Sequence, residues 1–186
     1  MNPRRFYIVK LNKFSKEEYN NIVEAFKGFY IKINFEVINN NYIKIITYDK
    51  NDFFKIEDLI NELDFDVEYI FQSLILNNDL DIKFDYYFKL LNNTNYNKFF
   101  IRESDIILKN INISNNLKNI YLKNIDKDLL KSILTFINSD LSVNKASKLL
   151  FVHRNTLNNK INKFKNLTGF DVRNFNDAYI VYTLLK

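Results

Sequence analysis

Between Ser142 and Gly169 the chain reads SVNKASKLLFVHRNTLNNKINKFKNLTG, and side chains able to bind a polar partner crowd into its second half. Asn155, Asn158, Asn159 and Asn162 fall at i, i+3, i+4 and i+7, which at about 100° per residue puts four amides on one side of a helix. An amide both donates and accepts, and it can match the N6 and N7 edge of adenine with two hydrogen bonds. Arg154 and Thr156 sit in the first turn, where a recognition helix meets a major groove. Lys160, Lys163 and Lys165 follow where flanking phosphates would lie. The chemistry on offer is nucleic-acid recognition. An asparagine stripe is also what a merely solvated helix face would show in a chain crowded with Asn, Ile, Lys and Tyr. What raises the binding reading above that one is the contiguous pattern A-x-x-L-x-x-V-H-R-N-T-L, then K-I, then L-T-G-F-D.

The elements that must position these residues are legible from apolar spacing. Ala146, Leu149 and Leu150 fall at helical intervals, Phe151 and Val152 interrupt, and Leu157, Ile161, Phe164 and Thr168 resume a stripe at i, i+4, i+7 and i+11. Two short helices joined by a tight turn are expected, with Ala146 small enough for the second helix to cross closely over the first. Helices over Lys127–Asn138 and Asn176–Leu185 would flank them, offering Leu130, Ile133, Leu134 and Ile137 from one side and Ile180, Leu184 and Leu185 from the other.

Ala146 to Leu157 (ASKLLFVHRNTL) and Leu167 to Asp171 (LTGFD) resemble the C-terminal helix-turn-helix of the purine-catabolism (PucR) and carbohydrate-diacid (CdaR) type bacterial transcription regulators, over about Asp128 to Lys186. The related Fis-type helix-turn-helix usually has Gly where this chain has Phe151, and Phe151-Val152-His153-Arg154 favours the PucR pattern. The chain departs from its relatives at Asn159-Lys160, where an aromatic-basic pair is common, and at Asn158 and Asn162, where basic residues are common. The resemblance implies double-stranded DNA as the partner, with a recognition helix beginning near Arg154. The expected contact set is Ser142, Lys145, His153, Arg154, Asn155, Thr156, Asn158, Asn159, Asn162 and Lys163. One helix-turn-helix reads only a few base pairs, so a homodimer reading two half-sites is expected as well.

Charge is distributed accordingly. Residues 1–126 carry 17 Lys and Arg against 18 Asp and Glu, a balance of −1; residues 127–186 carry 10 against 4, a balance of +6. A codon bias towards Lys would act along the whole chain, whereas here the surplus lies at the end that carries the motif.

Composition narrows the chemistry elsewhere. The 186 residues are 47% hydrophobic, enough for a core, and include no Cys, one His and two Gly. Neither a dinucleotide-binding nor a P-loop glycine pattern can be written, nor G-x-S-x-G. His153, the single His, starts the second helix, where capping or proximity to phosphate suits it better than a catalytic triad. The carboxylate pairs Glu17/Glu18, Asp64/Asp66 and Asp79/Asp81 have no identifiable partner, and solvation is their default reading. No catalytic residue, no metal site and no cofactor is expected. The apolar run Phe6–Val9 is too short for a signal peptide and no later run would span a bilayer, which points to a cytoplasmic protein without membrane contact.

The N-terminal part reads as strand Arg5–Leu11, a helix capped by Ser15 that buries Tyr19, Ile22, Val23 and Phe26 and stops at Gly28, and strands Ile31–Ile38 and Tyr42–Tyr48 joined through Asn39-Asn40-Asn41. A helix near Phe53–Leu63 and a strand Val67–Leu76 complete a β-α-β-β-α-β order. That order predicts a ferredoxin-like antiparallel sheet covered by helices on one face, and hence an α+β chain with an all-α helix-turn-helix domain at its C-terminal end. In the PucR and CdaR relatives the preceding segment resembles a degenerate GGDEF (diguanylate-cyclase-like) domain of similar topology. No Gly-Gly-Asp/Glu-Glu-Phe stretch occurs here, and Asp49 and Asp52 read as solvated turn residues. A further helix Phe84–Leu91 follows, then Lys98–Ile113, which resembles the connecting region that precedes the DNA-binding helices in that family, and a linker-like Asn110–Asn119. The expected domains are 1–114, serving dimerisation or sensing, and 115–186, binding DNA. Two other readings remain on sequence grounds: a non-catalytic protein-interaction adaptor, and a nucleotide-sensing module built on the N-terminal sheet.

Overall fold

The computed structural model describes residues 4–48, 66–75, 79–93, 96, 99–109 and 114–186. The predicted helix Phe53–Leu63, Asp49, Asp52 and Asp64 lie outside the described residues. The chain divides into two compact units, Met1–Glu103 and Ser104–Lys186.

The first unit is built on a five-stranded sheet: β1 (Arg5–Leu11), β2 (Ile33–Asn39), β3 (Tyr42–Thr47), β4 (Val67–Leu74) and β5 (Phe100–Arg102), in the spatial order β2-β3-β1-β4-β5. The first four strands pair antiparallel with one another, and β5 pairs in parallel with β4. Helix α1 (Lys16–Lys27) starts where Ser15 accepts the Glu18 N–H at 3.0 Å, with Glu17 and Glu18 facing the positive end of its dipole. Its residues Ile22 and Phe26 pack with Tyr7, Val9, Leu11, Ile43, Ile45 and Ile70, the residues of alternate strand positions that share one sheet face.

The other face is not open. Helix α2 (Leu80–Asn92) lies against it, with Phe84 edge-on to Phe6 at 5.8 Å between ring centroids and Tyr87 against Phe71 at 4.9 Å. The expectation of helices on one face is therefore corrected. The run Phe6–Val9 is buried throughout, the mark of a strand covered on both sides. β5 was not expected from sequence; three residues are too few to show a period.

Lys83 on α2 is fully buried, and its ammonium donates to the Leu74 carbonyl at 2.9 Å and to Glu103 Oε1 at 3.2 Å, with Asp79 Oδ2 at 3.7 Å. Ser73 donates to the same Glu103 oxygen. Asp79 is thus an ion-pair partner, not a solvated carboxylate. Glu18 and Asp66 serve the fold too: Glu18 accepts the Asp66 N–H at 3.0 Å, and Asp66 accepts from Asn12 at 2.8 Å.

The second unit is helical: α3 (Glu103–Lys109, which begins at the last residue of the first unit), α4 (Ser114–Leu122), α5 (Lys127–Asn138), α6 (Val143–Leu149), α7 (Arg154–Thr168) and α8 (Phe175–Leu185). Residues 110–113 of the linker-like stretch Asn110–Asn119 lie outside the described residues; from Ser114 onward the stretch is corrected by α4, which packs on α8 and buries Leu117 and Tyr121. Its asparagines suggest a linker, but Leu117 and Tyr121 at i and i+4 give it one apolar stripe. On α5 the buried face is Leu129, Ser132, Ile133 and Phe136. Leu130, Leu134 and Ile137 are only partly covered. Doubled apolar residues (Leu129-Leu130, Ile133-Leu134, Phe136-Ile137) offer two candidate stripes, and spacing alone does not choose between them.

Candidate nucleic-acid interface

Helix α7 is anchored by the face the spacing predicted. Leu157, Ile161, Phe164 and Thr168 are all buried, and Ala146 of α6 is fully buried in a unit where α6 packs on α7. The small side chain allows that close crossing, as expected. Leu149 does not join it: α6 ends there, and its side chain is 66% exposed. The turn is closed by backbone donation from Leu150 to Ala146, from Phe151 to Lys148 and from Val152 to Ser147. Phe151 turns the chain in the left-handed region, φ 53°, with its ring 96% exposed. A side chain costs about 1–2 kcal/mol in that conformation, which Gly would avoid.

His153 caps α7 through its ring. Nδ1 accepts the Asn155 N–H at 3.2 Å, which requires a neutral imidazole with its proton on Nε2, a donor on an exposed ring. At the other end Gly169 takes φ 83° and donates its N–H to Lys165 at 2.7 Å. This left-handed cap is why the L-T-G-F-D stretch needs its glycine.

The expected contact residues divide into a free group and an engaged group. Arg154, Asn155, Thr156, Asn159 and Lys163 are exposed along α7, and Asn158 is half-buried. Among the described residues Arg154, Lys163 and Lys148 form no ion pair. Ser142 caps α6, accepting the Lys145 N–H at 3.4 Å, and Lys145 pairs with Asp140 at 2.7 Å. Asn162 accepts from Arg173 at 2.6 Å. The two remaining lysines of the predicted phosphate flank are held by carboxylates. Lys160 reaches Asp128 Oδ2 at 2.6 Å and Ser132 Oγ at 2.9 Å on α5, and Lys165 reaches Asp171 at 3.1 Å. Sequence reasoning missed both engagements because the partners sit on other elements; it also missed Arg173, which lies beyond α7.

These engagements move the carboxyls. The Lys160 hydrogen bond and charge hold Asp128 below the usual carboxylate value, and Lys145 does the same to Asp140. For Asp171 desolvation pushes upward, but the hydrogen bonds from Lys165 and the Arg173 backbone, with both cations nearby, outweigh it and the net shift is down.

Helices α5, α6 and α8 therefore give a three-helix frame beside which α7 shows one polar, cation-bearing face. Residues 129–186 match the PucR C-terminal helix-turn-helix domain. Within the matched stretch, α6 and α7 are the pair joined by the turn. Two curated proteins align with about a third of the chain. The carbohydrate diacid regulator of Escherichia coli (strain K12) is 34% identical over 67 residues, 35% of this chain and 17% of that protein. The DNA-binding transcriptional activator AdeR of Bacillus subtilis (strain 168) is 32% identical over 66 residues, 36% of this chain and 16% of that protein. The chain thus aligns with about a sixth of the length of each. A solved structure, the regulator of polyketide synthase expression from Bifidobacterium adolescentis, aligns with 100% of this chain and 80% of its own at a TM-score of 0.45 and 14% identity. Among the described residues no helix is long and apolar enough to cross a membrane, and no cluster of metal-ligating side chains occurs.

Proposed function

We propose that this chain is a sequence-specific DNA-binding transcription regulator of the PucR/CdaR type, without catalytic activity, acting in the cytoplasm. The observation that carries the proposal is the outward face of α7: Arg154, Asn155, Asn159 and Lys163 are exposed, and Arg154 and Lys163 form no ion pair with any described residue, on a helix within the stretch that matches the PucR helix-turn-helix domain. In this reading α7 enters the major groove with its first turn leading. Asn155 and Asn159, with Asn158 beside them, meet base edges. Arg154, Thr156, Lys163, the His153 Nε2–H, and Ser142 and Lys145 at the start of α6 approach phosphates, and Lys145 exchanges Asp140 for one. The names of the curated relatives, one a regulator and one a DNA-binding transcriptional activator, support the same reading.

The first unit is assigned a dimerising or sensing role. The order β2-β3-β1-β4 with antiparallel neighbours supports a ferredoxin-like core of the degenerate GGDEF kind, and β5 and α2 are additions to it. A homodimer would supply the second half-site that useful specificity needs.

Fluorescence anisotropy with duplex DNA from upstream of the protein's own coding sequence, against a scrambled duplex, tests the proposal. Binding should prefer the native sequence and weaken steeply with salt, and Asn155→Ala should reduce the preference about tenfold. Equal affinity for both duplexes, or no binding at low salt, would overturn it.

A further inference from the structure

The asparagine stripe of α7 is not uniform. Asn155 and Asn159, one turn apart and exposed, make no side-chain hydrogen bond with any described residue. Asn162 is held. Its Oδ1 lies 2.6 Å from Arg173 Nη2, a contact that reaches from α7 to the segment between α7 and α8. Chemistry fixes which end of the amide is engaged: guanidinium nitrogens only donate, so the group facing them is the carbonyl. Arg173 is in turn fixed on Asp171, with Nη1 at 3.3 and 3.4 Å from the two carboxylate oxygens and its backbone N–H donating at 3.3 Å. The Asp171 carboxylate also takes Lys165, and its own N–H donates to Asp177 at 2.9 Å. A relay of Asp177, Asp171 and Arg173 therefore ends on the polar face of the helix, at Asn162.

We propose that Arg173 is a positioning residue for sequence readout, setting what Asn162 recognises. With its carbonyl turned to the guanidinium, Asn162 presents its NH2 as the free end of the amide. That end suits an acceptor edge: N7 or O6 of guanine, N7 of adenine or O4 of thymine. The amino group of cytosine is rejected there, because it would meet a donor. Asn155 and Asn159 keep both amide ends and can take the donor-acceptor edge of adenine. This assignment rests on the DNA-reading role proposed above and adds to it a residue outside α6 and α7.

Two readouts on the full-length protein test it. Without DNA, the side-chain NH2 resonances of Asn162 should shift in Arg173→Lys, which keeps the charge but loses the planar fork, while those of Asn155 and Asn159 stay in place. With DNA, the native-over-scrambled affinity ratio should fall about tenfold in Asn162→Ala and in Arg173→Lys, and no further in the double variant, with the salt slope of Arg173→Lys unchanged. Retained discrimination in Arg173→Lys, or losses that multiply in the double variant, would overturn the positioning role and make Arg173 a direct contact or a bystander. Asn162→Ala, at an exposed position, keeps the test alive if Arg173→Lys folds poorly: unchanged discrimination in that variant also overturns the proposal. Wild-type protein without preference for its own duplex would instead overturn the DNA-reading role, whatever the Asn162 resonances show.

Discussion

In the first unit the ammonium of Lys83 is sealed beneath the sheet, with Asp79, Glu103 and the Leu74 carbonyl around it. In the second, the segment 127–186 has 10 cations for 4 carboxylates. Asp128, Asp140 and Asp171 take Lys160, Lys145, and Lys165 with Arg173. Arg154 and Lys163 are left exposed on the polar face of α7. A buried charge must be matched where it stands, because solvation lost on burial is recovered only from neighbours. An exposed surplus is tolerated by water and remains available to an anionic partner. Charge holds the fold together in one region and in the other is divided between fold and face.

Substitutions can break that contrast, and the largest effect is expected at Lys83. Lys83→Met keeps the length of the side chain but leaves Glu103 and Asp79 without their buried cation, and should cost about 3–5 kcal/mol in urea unfolding. A loss below about 1 kcal/mol would mean the cluster is solvated and the contrast false. Next comes Phe151. Its ring is 96% exposed and its φ positive, so Phe151→Gly should remove strain without removing packing and raise stability by about 1 kcal/mol in thermal unfolding. Destabilisation would show that the ring has a contact within the fold.

The smallest effect concerns acid. Asp128, Asp140 and Asp171 all titrate below the usual value of about 3.9 in the folded chain, so on acidification the unfolded chain takes up their protons first. Their stabilisation is complete above that value and is lost as pH falls through the lower folded values. Asp128→Asn should flatten the decline in melting temperature below about pH 4, where the wild-type carboxyl still holds Lys160. An unchanged decline would show that this exposed pair contributes nothing.

Much of this arrangement was legible in the sequence, for reasons that differ by element. β1 matches its predicted span at both ends, and α5 does so too, with Asp126 capping its first turn. The buried stripe Leu157, Ile161, Phe164 and Thr168 was equally plain, because a helix fixed by one apolar face advertises that face at a regular period. What stayed hidden depends on residues far apart in sequence. Nothing near Lys160 announces Asp128 and Ser132, 32 and 28 positions earlier. Arg173 finds Asn162 only once Gly169 has turned the chain back. The second layer on the sheet was missed because α2 was placed in the chain but not on a face. The left-handed turn at Phe151 was hidden because its residue type argues against that conformation.

The central claim is that exposed cations of α7 meet DNA while engaged ones serve the fold, and two neighbouring lysines test it in one experiment. The slope of log affinity against log salt should fall by about one in Lys163→Ala and stay at the wild-type value in Lys165→Ala, whose ammonium is held by Asp171. Equal slopes for the two variants, whether both reduced or both unchanged, would contradict the division of charge on which this account rests.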